Sequence, residues 1–236
     1  MAISRYGGRN RLLWAMSQQD FARLQPHLEP VTLQVMDVLV KENTSIEHVY
    51  FIEEGLASVI ALGPDSEQIE IGHIGYEGVT AEALILGLDH SPNRTFVQGA
   101  GSALRMRADE LMAAMKASPS LKALLLRYVQ AVIIQITHSA LANGRYANHK
   151  RLARWLLMCH DRMAGDDLSV THEFLALMLG VRRAGVTEAL HVLEGQQIIK
   201  AGRGHIHVLD RTGLEEVAGG CYGGPEAEYA ALIGSP

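Results

Sequence analysis

Cysteine is nearly absent from this chain of 236 residues: only Cys159 and Cys221 occur. Two cysteines so far apart make no disulfide framework, and by themselves they ligate neither an iron–sulfur cluster nor a structural zinc. Long apolar runs are missing too. The densest, Ala123 to Ile136, is short for a membrane span and contains Arg127. The N-terminus carries arginines but no apolar core followed by a cleavage site, so no signal peptide is expected. There is no nucleophile elbow, no phosphate-binding glycine loop followed by lysine, and no internal repeat. The region expected to form sheet also lacks a histidine-x-histidine pair. His73 stands there with Glu70 and Glu77, which falls short of a cupin-like metal enzyme, the weaker of the alternatives to be weighed. The expectation is a cytoplasmic protein with no catalytic site, no bound metal and no membrane contact.

Positive charge is also in short supply, the formal net charge being −5. Its distribution is uneven. Residues 1–116 hold 9 basic and 15 acidic side chains, whereas 117–145 hold 3 basic and none acidic, and 146–217 hold 9 of each. The acidity therefore belongs to the N-terminal part. In the C-terminal part the basic groups cluster: Lys150, Arg151 and Arg154, then Arg182 and Arg183, then Lys200 and Arg203. Where phosphates are to be met, clustering matters more than the sum.

The length suits one large domain or two small ones. Residues 1–10 are polar and expected to be mobile. Asn10 to Leu28 reads as one or two short helices, with Ser17 and Asp20 marking a helix start. From Val31 to Arg107, short apolar runs alternate with glycine-marked turns, the spacing of an antiparallel sandwich or small barrel. Asp109 to Ala117 is a short helix. Ser118-Pro119 then opens a long one. Along it Leu125, Val129, Val132 and Ile136 repeat with the spacing of a coiled-coil seam. A second line holds Leu126, Ile133 and Ala140. Two stripes predict that the helix packs on its own sheet and on a partner helix, with the first line as the dimer interface; a helix buried inside one domain has a similar pattern. Asn143-Gly144 is expected to break it as a hinge, and Ala147 to Met163 forms the next helix. The tail from Gly219 has only Tyr229, Leu232 and Ile233 with which to dock.

Thr171 to Leu193 is the most informative stretch. Thr171 is a helix cap, and Glu173 in the first turn complements the positive helix end. Leu175, Met178 and Leu179 share a face, and Gly180 permits the left-handed conformation that stops the helix. In the second helix Val186, Ala189, Leu190 and Leu193 fall on one side, and Arg182, Arg183 and Thr187 on the other, near its N-terminal end. That end is what a helix-turn-helix protein presents to base edges. An ordinary helical hairpin with a solvated basic face shows the same pattern. Gln196 to Leu209 reads as a β-hairpin around Gly202-Arg203-Gly204. Its His205-x-His207 pair has metal-ligand spacing but belongs to this hairpin, so it faces DNA or solvent. Helix, turn, helix and hairpin in that order make a winged helix.

A β-rich domain, a long helix, a hinge and a C-terminal winged helix resemble the cyclic-AMP receptor and fumarate–nitrate regulator (Crp-Fnr) family of bacterial transcription factors. The resemblance runs over about residues 10–217 and is best matched in VTHEFLALMLGVRRAGVTEALHVLEGQQII and the wing. It implies an α+β fold: an N-terminal antiparallel β-sandwich of the cyclic-nucleotide-binding type, here called a β-roll (1–117), a long dimerisation helix (118–145), a winged helix-turn-helix domain (146–217) and a tail (218–236). It further implies a homodimer on double-stranded DNA, with RNA polymerase as a partner. Arg183 matches the family's base-reading arginine. Arg182 stands where serine or threonine often caps, Ala184 where several members carry a base-reading glutamate, and Glu188 where some carry a second arginine. The usual family half-site is therefore not expected. The DNA-contacting set is Arg182, Arg183, Thr187, Thr171, Lys200 and Arg203. Glu77 and Arg94-Thr95 match the phosphate cassette, but they are seventeen residues apart rather than about ten. A cyclic nucleotide is thus a doubtful effector. His73 and His48 are the histidines a haem sensor would need. A ligand-binding or interaction module with weakened DNA contact is the second alternative.

Overall fold

The computed structural model describes residues 8–234. It begins with two short helices, α1 (Arg11–Ala15) and α2 (Gln18–Leu24). Asn10 caps α1 by accepting from Leu13 N at 3.1 Å, and its amide donates at 2.8 Å to both Ile52 O and Gly78 O. Asn10 is fully buried, so the mobility expected of residues 1–10 does not extend to it. The other residues of that expectation, 1–7, lie outside the described residues.

Five strands follow: β1 (Glu29–Leu33), β2 (Val38–Val40), β3 (His48–Leu62), β4 (Gln68–Ile74) and β5 (Arg94–Arg107). They pair antiparallel in the order β1-β5-β3-β4, with β2 also on β5. The short apolar runs on either side of Gly55, which the glycine marks as separate, are one long β3. It bends where Gly55 (φ +88°) and Gly101 cross: a Cβ on Gly101 would sit 2.1 Å from Glu54 O. Only glycine permits that approach. Alternate residues Leu33, Ile52, Ala57, Ile74, Val97 and Ala103 form the inner core of the roll.

Between β4 and β5 lies a short helix, α3 (Glu82–Ile85); after β5 come α4 (Ala108–Ala117) and α5 (Pro119–Arg145). Ser118 caps α5 by accepting from Leu121 N, while its hydroxyl donates to Asp20 at 2.5 Å, tying α2 to the start of the long helix. Leu121, Leu124, Leu125, Tyr128 and Val129 bury themselves on the β-roll. Of the four residues expected in the dimer seam, Leu125 and Val129 are thereby taken up inside the chain, while Val132 and Ile136 stay half-buried. Leu125 and Val129 are 0% and 4% exposed within the chain's own core, and Val132 packs partly against it. The line left open is the neighbouring one: Leu126, Ile133 and Leu141 are 41%, 47% and 45% exposed, with Ala123, Gln130, Thr137 and Ala140 continuing it. By length and composition α5 could cross a membrane, but one-third of its most apolar window is buried inside the protein.

α5 continues through Asn143 and Gly144, and the chain turns at Tyr146-Ala147, not at the expected Asn143-Gly144 break. Helix α6 (Asn148–His160) leads to β6 (Asp167–Ser169), α7 (His172–Leu179), α8 (Arg183–Gly195), β7 (Ile199–Gly202), β8 (His205–Val208), α9 (Arg211–Ala218) and α10 (Gly224–Ile233). Strands β6, β8 and β7 make a three-stranded wing sheet. The tail is thus a formed helix that returns to α5: Arg127 Nε donates to Leu232 O at 2.9 Å, and Tyr229 Oη to Glu77 O at 2.6 Å.

Candidate nucleic-acid interface

The winged helix is assembled from local signals. Thr171 Oγ1 accepts from Phe174 N at 3.2 Å and starts α7. Gly180 (φ +60°) ends it in the left-handed conformation. Val186, Ala189, Leu190 and Leu193 are buried on one side of α8 and fasten it to α6 and α7. The opposite side is outward: Arg182, Arg183, Ala184 and Glu188 are exposed, and Thr187, part-buried, donates to Arg183 O at 3.2 Å. Arg182 occupies the cap position without a side-chain cap, which leaves its guanidinium free of that task. Arg183 pairs with Glu173 of α7 at 2.6 Å; both side chains are largely exposed, so the pair is weak and exchangeable. Lys200 and Arg203 are exposed on the wing, where Gly204 (φ +79°) makes the turn.

The other basic cluster expected from the sequence is internal. Arg154 is only 7% exposed and donates to Ser139 Oγ at 3.2 Å. Arg151 donates to Asn143 Oδ1 at 2.7 Å and to Leu179 O, satisfying a carbonyl at the end of α7. Burial pulls both guanidinium pKa values below the ordinary arginine range. These residues join the long helix to the helix-turn-helix through those hydrogen bonds. Gly185 also has an internal reason. A Cβ there would lie 3.0 Å from Asn148 Nδ2, so its smallness lets α6 approach α8.

The winged helix rests against its own β-roll. Leu56, Ile60 and Phe96 of the sheet join its core, and Phe174 meets Phe96 edge-on with ring centroids 6.2 Å apart. Trp155 Nε1 donates to Glu70 Oε1 at 2.9 Å, a contact that residue spacing could not reveal.

The expected cassette residues do not come together. Glu77 pairs with Arg162, at the end of α6, at 2.8 Å, with side chains 14% and 7% exposed. Burial works against the Arg162 charge, but the charge of Glu77 and the hydrogen bond outweigh it and raise the arginine pKa. Arg94 turns outward to Glu42, with bonds of 2.8 and 2.5 Å, and those bonds pull the Glu42 carboxyl down to about 2. Thr95 alone of the three lines a cavity of about 180 Å³ between the β-roll and α5. The glutamate at that cavity is Glu82, which the sequence reading passed over. A second cavity, of about 280 Å³, lies under the tail and is lined by His73, Glu77, Arg162 and Tyr229 among others. His48 is half-buried on β3 and lines neither. Among the described residues no group of three or more histidine, cysteine, aspartate or glutamate side chains is arranged to hold a metal ion.

Residues 150–217 match the family model described as a Crp-like helix-turn-helix domain. No curated protein matches the sequence. Among solved structures, FixK2 from Bradyrhizobium japonicum superposes with a TM-score of 0.68 at 18% identity, covering 81% of this chain and 98% of that one. The c-di-GMP-responsive global regulator CLP of Xanthomonas campestris gives 0.63 at 17%, covering 81% and 99%. A CRP-family transcriptional regulator from Thermus thermophilus gives 0.61 at 21%, covering 80% and 96%. At these identities the likeness is one of fold.

Proposed function

As a DNA-binding transcription regulator with a Crp-like helix-turn-helix domain on the fold of the Crp/Fnr regulators, this protein, we propose, works as a homodimer on a pseudo-palindromic promoter site. The observation that carries the reading is the first turn of α8, where Arg182 and Arg183 are exposed on a helix whose other face is locked into the domain core. Arg183 can donate two hydrogen bonds to guanine O6 and N7, worth about 1–3 kcal/mol of discrimination against the wrong base. In this reading Arg182, Thr171, Lys200 and Arg203, all exposed, take phosphates, which fix register without reading sequence. Arg154 and Arg151 contribute nothing to this set.

The dimer is proposed through the open line on α5. Ala123, Leu126, Gln130, Ile133, Thr137 and Ala140 recur at alternating steps of three and four, the period of a coiled-coil seam. Leu126 and Ile133 exposed in one chain are what a second copy would bury. Two α8 helices then engage half-sites one helical turn apart, about 34–36 Å. The cavity between the β-roll and α5 serves as the effector pocket, because its wall includes Val132, Ile133 and Ile136 of that helix. A ligand there shifts the population of dimer arrangements that fit DNA. RNA polymerase as partner and a cytoplasmic location follow the same reading, and no catalysis is proposed.

Sedimentation of the chain alone and with a selected DNA site tests it. Two chains per site, reduced to one weakly bound chain by Leu126→Glu with Ile133→Glu, is the expected result. A monomer that binds such a site with full affinity would refute the dimer.

A further inference from the structure

The cavity between the β-roll and α5 has the chemistry of a site for a cation. Its walls are largely apolar, with Val40, Ile46, Val59, Ile74, Val129 and Ile136 prominent, and no lysine or arginine lines it. The arginine that precedes Thr95 is held outside by Glu42. A carboxylate does line it: Glu82, at the start of α3, whose Oε1 is buried without a hydrogen-bond partner. The nearby titratable groups supply no counter-charge. Tyr128 of α5 is neutral, its hydroxyl hydrogen-bonded to Val79. The Nε2 of His73, on β4, lies 2.7 Å from Glu70 Oε1, at ion-pair distance without hydrogen-bond alignment, so its own carboxylate neighbour is already supplied. At about 180 Å³ the cavity is also smaller than the roughly 300–1,000 Å³ of sites for drug-sized ligands.

We propose that this effector pocket takes a small apolar ammonium compound, an arylalkyl amine in chemical class, with its NH₃⁺ on Glu82 and its ring among the valines and isoleucines. The inference rests on the effector reading above. An unpartnered carboxylate in apolar surroundings carries a desolvation penalty that a bound ammonium removes. Burial has pushed the Glu82 carboxyl up to about 7, which is the mark of that penalty. A cyclic phosphate would meet no guanidinium in this cavity, and its charge would oppose ionisation of the Glu82 carboxyl. The ligand's ring would touch Val132, Ile133 and Ile136 on α5, so occupancy bears directly on the open seam.

The full chain without DNA would be titrated with 2-phenylethylamine, 2-phenylethanol, phenylacetate and cyclic AMP, with binding followed by calorimetry and by NMR shifts. The amine is expected to bind at least about tenfold tighter than its neutral and anionic isosteres, with cyclic AMP silent. Glu82→Gln should remove the preference while leaving the fold unchanged by circular dichroism. Ala83→Leu, which narrows the same cavity, should weaken the amine with Glu82 intact. Equal binding of alcohol and amine, tighter binding of phenylacetate or cyclic AMP, an unaltered preference in Glu82→Gln, or no binding of the amine would each overturn the proposal. None of these outcomes touches the DNA reading, which is measured with DNA and without these compounds.

Discussion

At the residue scale, the arginines divide into those engaged inside the fold and those left outside it. Arg183→Ala should weaken binding mainly by lost discrimination, so affinity for the selected site falls while affinity for unrelated duplex stays. Arg182→Ala should weaken all sequences alike and flatten the dependence of log affinity on log salt by about 1.8, one phosphate contact of about 0.9 from each chain of the dimer. Both are checked by salt-titrated binding on two duplexes. Glu77→Ala is a different case. It strands the buried guanidinium of Arg162 and should cost about 3–5 kcal/mol of stability in denaturant titration. Glu82 governs a pH effect. Its carboxyl, ordinarily at 4.5, is raised to about 7 by burial. The native chain therefore keeps a proton that the unfolded chain gives up. Stability from this group is full below about pH 4.5 and is lost as pH rises through about 7, on the order of 3 kcal/mol in all. Unfolding curves across that range should flatten in Glu82→Gln. Neither glutamate could be placed from spacing. Glu77 matches the glutamate of a phosphate cassette by resemblance, but its partner Arg162 is 85 residues away in sequence. The caps at Ser17, Ser118, Thr171 and Asp210 were legible because each acts on a backbone N–H three residues on.

At the element scale, α5 decides the architecture. Its two apolar stripes are visible in the sequence, yet they run side by side, one residue apart, and periodicity cannot say which stripe meets the sheet. Packing of Leu125 and Val129 into the β-roll core settles that. Leu125→Ala should therefore cost about 2–5 kcal/mol of folding stability. Leu126→Glu should leave folding nearly intact and dissociate chains, a contrast read by thermal unfolding beside sedimentation. For the tail helix α10 the docking residues Tyr229, Leu232 and Ile233 were legible but their partners were not, since the contacts of Tyr229 to Glu77 and Leu232 to Arg127 join residues more than a hundred apart. Ending the chain at Gly223 removes Tyr229 and Ile233 from the core they pack against. It should lower the melting temperature by several degrees, about 2–4 °C for each kcal/mol lost in a chain of this size.

At the scale of the whole molecule, the β-roll, α5 and the winged helix form one continuous body in which Trp155, Phe174 and the Glu77–Arg162 pair carry contacts between domains. The order of helical and sheet segments was readable from the change of periodicity along the chain; the docking of the winged helix on the β-roll was not, since it depends on surfaces from distant segments. The central claim is that two such bodies hold paired α8 helices toward one face of DNA. Selection of bound duplexes from a random library, at fixed and stated salt, tests it most directly. The account predicts an enriched inverted repeat whose half-sites lie one helical turn apart and whose enrichment collapses with Arg183→Ala. Enrichment of a single unpaired motif, or no enrichment once electrostatic binding is suppressed by salt, would contradict it.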